Sequence, residues 1–428
     1  MGMTATEKTL ALASGKISVS AGETVYPDPE WIIVHDLYIA SSKEQLDALG
    51  IPKLFDPKRV IFATDHAVIY TTPQMVARGV AIRKAVHEWE VENFFDVGQG
   101  GHGHIFPMEM GMVQPGTFAF ANDMHCSNNG AVGAVVMRTG TEIISVLATG
   151  TMWVEVPSTI QVTLTGKFKN GVYGRDLGYR LARNFTNGTF GVEWDYRVLE
   201  FAGDALNGLN LATRVAICNT VTEIGVANVF FPPNQEIIED AKKCSKRPFT
   251  PVFSDADATY ESKISVNLSE LEPQIVLPGA PDRASDISAA EGQKVDHAFI
   301  GSCGSGMYED LLTTAQILQG KKVAPGTRLF IVPGTTASSK RMVEEGLMTI
   351  FQDAGAIVLP AGCGPCTRGN MAPLTSGEVS ISTGATNIAG RMGAKDADIY
   401  LASPATVACS AIAGKITDPR NVLYQSRQ

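Results

Sequence analysis

The sequence predicts an α/β protein with two or three domains. Length is the first reason, because 428 residues exceed what one ordinary hydrophobic core organises. The second is the alternation of short apolar runs with helical stretches, the pattern of parallel sheets joined by crossover helices. Third, loops rich in Gly, His or Cys follow several strand signals directly, as in open α/β sheets that hold ligands at the carboxyl ends of their strands.

The first domain is expected over 1–155, with WIIVHD and RVIFATDH as strands, PQMVARGVAIRKAVHEW as a helix, and FFDVG as a strand entering a Gly/His-rich loop. The second, 156–285, carries the strand IQVTLTG, the amphipathic helix GRDLGYRLARNF and the strand YRVLEFAG. Residues 278–295, PGAPDRASDISAAEGQKV, read as a linker, being rich in Pro, Ala, Ser and Asp. The third domain, 286–428, is the most legible: strand HAFIG, loop GSCGSG, helix EDLLTTAQILQG, strand RLFIVP, helix SSKRMVEEGLMTIFQDAG, strand AIVLP, then AGCGPC. Right-handed crossovers make this a parallel βαβαβ sheet, so the loops after its strands share one edge.

Composition narrows the function. With 44% hydrophobic and 18% charged residues the chain reads as a well-buried globular protein, and its net charge of −9 argues against a general nucleic-acid or anionic-membrane surface. Small acids remain candidate ligands. No apolar run is long enough to span a bilayer, and MGMTATEKTLALASGKIS lacks the features of a secretory signal, so a cytoplasmic location is expected. Seven cysteines, an odd number scattered through a long chain, favour reduced thiols or metal ligands over a disulfide framework.

Cys303 and the Cys363/Cys366 pair follow strands directly, so the three thiols can meet at one sheet edge. A redox pair is disfavoured, because Gly-Pro separates Cys363 from Cys366 and Thr-Arg-Gly-Asn opens a helix poorly. Zinc completed by a histidine and an iron–sulfur cluster held by three cysteines both fit these residues. Cys409 reads as core, Cys244 as helix surface, and Cys126 is ambiguous beside His125.

Acid–base candidates cluster at strand ends. Asp65-His66 ends RVIFATDH, Asp123-Met124-His125 follows TFAFAN, and His102 and His104 lie in GQGGHGHIF. A carboxylate beside an imidazole fixes its tautomer and stabilises imidazolium during proton transfer. Glu223, in AICNTVTEIG, lies near a buried-looking strand, with Asn219 four residues before it. Its plainer reading is an acid stabilised by a helix N-terminus.

Several strings together resemble the aconitase superfamily, and most of all its 3-isopropylmalate dehydratase and homoaconitase large subunits. They are ATDH, GHGHIFPMEMG, NDMHCSNNGAVGAV, VLATGTMW, VLEFAGDAL, AICNTVTEIG, GSCGSGMYEDLLTTAQILQG, AGCGPC, STGATNIAGRMG and YLASPATVACSAIAG, in order along nearly the whole chain. The resemblance implies three α/β/α domains around a central [4Fe–4S] cluster on Cys303, Cys363 and Cys366, and dehydration of a small hydroxy acid such as a substituted malate. By the same match, Asp65, His66, Asp123 and His125 are acid–base residues, His104 handles the leaving hydroxyl, and Glu223 is an active-site carboxylate. Asn219 lies near the cluster, and Arg391 binds a substrate carboxylate. The family's base is a serine on a swivelling domain that is not recognisable here, which implies a small-subunit partner; the acidic net charge, not the resemblance, sets the expectation of no nucleic-acid or membrane partner. Dehydration without isomerisation, or a non-catalytic binding or regulatory descendant, are the alternatives.

Departures from the family pattern mark recognition rather than the cluster. Asp-Ser-His-Thr appears as Asp123-Met124-His125-Cys126, and Ser-Cys-Thr-Asn as Ser302-Cys303-Gly304-Ser305. The first arginine of Asn-Arg-Asn-Phe-x-Gly-Arg has become Thr386, and threonine cannot form a bidentate carboxylate clamp. Arg368 is a candidate replacement cation, with a solvent-facing loop arginine as the equal alternative.

Overall fold

The computed structural model describes residues 2–425. A short strand β1 (Thr24–Val25) precedes the first large sheet, formed by β2 (Trp31–His35), β3 (Val60–Ala63), β4 (Asn93–Phe95), β5 (Phe118–Ala121) and β6 (Val135–Arg138). Its order is β4-β3-β2-β5-β6, and every pairing is parallel. β7 (Val154–Glu155) returns to pair with β1. A second sheet has the order β10-β9-β8-β11, from β8 (Thr159–Thr165), β9 (Val198–Ala202), β10 (Asn228–Phe230) and β11 (Ser262–Asn267). The third comprises β12 (Gln274–Val276), β13 (Ala284–Asp286), β14 (His297–Gly301), β15 (Arg328–Val332), β16 (Ile357–Val358), β17 (Val379–Ser382) and β18 (Asp398–Ala402). Its order is β13-β12-β18-β17-β14-β15-β16.

Why the strands read as unbroken apolar runs follows from this arrangement, since a parallel sheet is covered on both faces. All residues of β2, β3 and β5 are buried. Ile39, Leu46, Ile82 and Ala85 of the flanking helices Asp36–Ala48 and Pro73–Glu88 share a core with Ile32, Val34 and Phe62 of the sheet.

Two sheets reverse their winding. In the first, the chain passes from β2 outward through β3 to β4, then resumes on the other side of β2 with β5 and β6. In the third, β14 leads outward to β15 and β16, and the chain returns beside β14 with β17 and β18. Loops leaving the two strands at such a point diverge and open a crevice at the carboxyl edge. His35 ends β2 and Asp123 follows β5; Cys303 follows β14 and Arg391 follows β17.

The chain divides into two compact units of interleaved segments: Met1–Leu164, Glu193–Asn207 and Gly225–Ser265 in one, and Thr165–Val192, Gly208–Ile224 and Val266–Gln428 in the other. Three expectations change. The presumed linker 278–295 contains β13, which pairs antiparallel with β12 at the sheet edge. The single helix expected over SSKRMVEEGLMTIFQDAG is two, Thr336–Glu344 and Leu347–Ala354, broken at Gly346 with φ 80°. AICNTVT is helical, within Leu211–Thr222, because a fully buried helix lacks the polar stripe that marks one in sequence. Among the described residues no helix is long and apolar enough to cross a membrane.

Phe62 is fully buried in β3, between β2 and β4 of the first sheet. Phe62→Ala is expected to destabilise the unit that contains it by about 3–5 kcal/mol, measured by denaturant unfolding.

Candidate functional site

The carboxyl edge of the first sheet gathers an acid–base set. Register places His35 beside Ala63, and Ala63 beside Phe95, so the loops after β2, β3 and β4 start level with one another. Asp65, fully buried, is the hub: its carboxylate lies 2.8 Å from His35 Nδ1, 2.8 Å from His66 Nδ1 and 3.2 Å from His102 Nδ1, and accepts from Gly103 N–H at 2.8 Å. Asp36 gives His66 Nδ1 a second carboxylate at 2.9 Å and accepts from Ala67 N–H. Asp123 stands 3.0 Å from His104 Nε2 and 3.3 Å from His125 Nδ1.

Electrostatics set the protonation states. Burial pushes the Asp65 carboxyl up, but His35, His66 and His102 outweigh it and hold it well below the usual carboxylate range. Asp123 behaves alike: burial raises it, and the hydrogen bonds to His104 and His125 bring it well below that range. Burial lowers His104 to about 4, with His35 adding to the effect and Asp123 opposing it. Burial likewise drives His102 well down. His102 and His104 are therefore neutral imidazoles beside the ionised carboxylates of Asp65 and Asp123 at neutral pH, the state from which a carboxylate can support a proton arriving on its imidazole.

The structure thus brings Asp65, His66, His104, Asp123 and His125 together, and adds His35 and Asp36, which the sequence shows only as the end of the strand signal WIIVHD. The signal lay in the repetition of a His/Asp pair at the ends of two strand runs, WIIVHD and RVIFATDH, which are neighbours in the sheet. His35 Nε2 and His104 Nδ1 are buried and have no hydrogen-bond partner among the described residues.

The cysteines occupy the corresponding edge of the third sheet, in the other unit. Cys303 lies in a helical turn, Ser302–Ser305, directly after β14, and Cys363 and Cys366 flank a single turn after β16. The entry to Cys303 is conformationally demanding: Gly301 has φ 137°, and a Cβ there would sit 1.9 Å from Val332 O. Ser302 follows at φ 64°, a left-handed backbone of the kind found at ligand clamps. All three cysteines are buried.

Contacts link them. Asn219 Nδ2 donates to Cys303 Sγ at 3.2 Å, and Arg391 Nη2 donates to Cys366 Sγ at 3.8 Å. The Cys366 sulfur, with Cys363 and Glu223 adding to it, raises the Arg391 guanidinium above its ordinary value. Ser302 Oγ, Thr367 Oγ1 and Arg391 Nε are buried without hydrogen-bond partners among the described residues. Buried polar atoms left unmatched point to a ligand. Three sulfurs from two loops, N–H donors on two of them and unmatched polar atoms beside them fit a cluster held by three cysteines.

Of the remaining candidates, Asn219 lies in the helix Leu211–Thr222, and Glu223 caps its C-terminus. That corrects the expectation of a helix N-terminus: the dipole opposes a carboxylate here, and Arg391 is the nearby positive charge. Thr386 is buried in the loop after β17, and Arg368 is exposed at φ 51° just beyond Cys366. Cys126 donates to Val136 O at 3.4 Å, and burial pushes its thiol far up, so it is inert. Burial pushes Cys409, in the helix Pro404–Ala413, to about 12.

Residues 71–414 match the Aconitase family (aconitate hydratase). The chain belongs to the aconitase family. Among its relatives in that family is the 3-isopropylmalate dehydratase large subunit 1 of Methanopyrus kandleri, 35% identical over 99% of this chain and 100% of that protein. The 3-isopropylmalate dehydratase large subunit of Heliobacterium modesticaldum is 36% identical over 99% of this chain and 100% of its own length. Among solved structures, Thermococcus kodakaraensis aconitase X in its holo-form shares the fold, with TM-score 0.51, 13% identity and 89% of each chain covered.

His104 carries a pH prediction for this member of the aconitase family. Its folded value of about 4 lies below the ordinary 6.5, so the unfolded chain binds the extra proton. Its contribution to stability is full above 6.5 and is lost as pH falls toward 4, on the order of 3 kcal/mol. His104→Gln is expected to flatten the fall in unfolding free energy between about pH 7 and about pH 4.5; parallel curves for the two proteins would contradict it.

Proposed function

We propose that this chain is the large subunit of an iron–sulfur hydro-lyase that removes water from a small hydroxy acid such as a substituted malate. One observation supports this most: Cys303 follows β14 at a sheet's switch point and Cys363 and Cys366 follow β16 of the same sheet, all three buried, with N–H groups donated to two of the sulfurs. Family membership and the names of the full-length relatives support the same reading. Because those relatives are named large subunits, a small subunit is the proposed partner, supplying the serine base. Each of the three sheets is proposed as the core of one domain, the third beginning at β12.

In this reading Cys303, Cys363 and Cys366 hold a [4Fe–4S] cluster, which when bound supplies an iron with an open position that acts as a Lewis acid. Hydroxide leaves poorly unless protonated, and this reading assigns that transfer to His104, with Asp123 at its Nε2 to stabilise the imidazolium. Asp65 fixes the tautomers of His35, His66 and His102 in the same way. Arg391 offers its unmatched Nε to a substrate carboxylate, where the charge that develops on proton removal needs a cation. Thr386 removes a second clamp, so the acid differs in carboxylate arrangement from those the family's arginine pair receives. Arg368 is the candidate cation for that difference, and Glu223 and Asn219 border the cysteine loops.

Anaerobic reconstitution with iron and sulfide is expected to produce a visible charge-transfer absorbance that Cys303→Ser lacks. Stoichiometric zinc without iron in protein from its native source would overturn the assignment. With the small subunit present, product analysis in labelled water separates dehydration alone from completed isomerisation. An Arg368→Ala protein that binds the acid as tightly as wild type removes Arg368 from recognition.

A further inference from the structure

Arg175 lies in the first turn of the helix Gly174–Thr186, a segment whose sequence shows only amphipathic character, yet it is 1% exposed. A buried guanidinium is costly unless its donors are matched. Here Nε donates to Tyr179 Oη at 3.0 Å, Nη1 to Asn219 Oδ1 at 3.4 Å and Nη2 to the Gly384 carbonyl at 2.7 Å.

Two of those three contacts continue to the cysteines. Asn219 receives Arg175 on its oxygen and donates from its nitrogen to Cys303 Sγ. An amide carries these two atoms on one carbon, so a cation on the oxygen also selects the flip that puts N–H on the sulfur. Gly384 is packed against the second cysteine loop: a Cβ there would meet Cys366 Sγ at 3.7 Å and Met392 Cε at 2.7 Å. Gly304 completes the arrangement, because a Cβ at that position would lie 2.2 Å from Arg175 Nη1 and 2.3 Å from Asn219 Oδ1. Where the family motif carries threonine after the first cysteine, this chain carries the residue that leaves room for the guanidinium.

We infer that Arg175 is a positioning residue of the cysteine site. Its fork holds the Asn219 amide on Cys303 and the β17 loop against Cys366, and Gly304 is the space that admits it. The inference rests on Cys303, Cys363 and Cys366 being the cluster ligands.

N–H donors to sulfur stabilise the more negative, reduced cluster, and partners of metal ligands govern retention of the metal. The experiment compares wild type, Arg175→Lys, Gly304→Ala, Asn219→Ala and the Arg175→Lys/Asn219→Ala double variant after anaerobic reconstitution, with thermal melting as a check of folding. Cluster reduction potential and the rate of bleaching in air are read, neither of which depends on turnover. Arg175→Lys keeps the charge but not the three-way fork, and is expected to lower the potential and bleach about 10-fold faster. Gly304→Ala should do the same by displacing the fork. In the Asn219→Ala background Arg175→Lys should add less than it does alone. Wild-type potential and bleaching in Arg175→Lys, or full additivity in the double variant, overturns the inference while leaving the cluster intact. A wild-type protein that takes up no iron instead removes the cluster assignment, and this inference with it.

Discussion

A parallel sheet can wind outward from its first strand in one direction and then in the other, and the reversal forces two loops apart. That constraint underlies the chemistry in both large sheets. At the first reversal the parting loops carry His35 from β2 and Asp123 from β5; at the second they carry Cys303 from β14 and Arg391 from β17. Strands are buried on both faces and therefore have little freedom in sequence, whereas loops at the carboxyl edge are released from that restriction. Reactive groups accumulate where backbone direction is fixed by the sheet but side-chain identity is not.

The charges at these edges are sustained by one another. Asp65 without its imidazoles would be a buried carboxylate left with the Gly103 N–H, and His35 and His102 without Asp65 would lose the carboxylate that selects their tautomer. The same economy operates around the cysteines, where Arg391 and Asn219 donate to sulfur and Arg175 in turn holds Asn219. Both sets are networks in which removal of one member strands another, and in that sense they are as much a part of the packed interior as Phe62.

Periodicity revealed the strands well because parallel strands are apolar runs ending in loops, and Asp65, His66, His104, Asp123 and His125 could be seen at those ends. His35 and Asp36 escaped because they look like the tail of a strand and the start of a helix, and only the pairing of β2 with β3 brings them to Asp65. Glu223 was misplaced for the opposite reason: the helix before it is buried all round and has no polar stripe to announce it. Arg175 was invisible because sequence registers an arginine as surface, and its burial depends on Tyr179, Asn219 and Gly384, one of which is more than two hundred residues away. Local pattern reports which face a residue shows; it does not report which distant backbone arrives to cover it.

The interleaving of the two compact units has a consequence for biosynthesis. The first unit closes only when residues up to Ser265 are present, and by then the whole histidine–aspartate edge has been made. The cysteines come later, at 303, 363 and 366, in the last segment of the second unit, whose first two segments have long since left the ribosome. Helices Gly174–Thr186 and Leu211–Thr222, which pack on each other, must therefore wait for the segment that begins at Val266. During translation Arg175 and Asn219 are thus made well before the sulfur loops they contact, and the proposed three-cysteine site is complete only when nearly the entire chain is in hand.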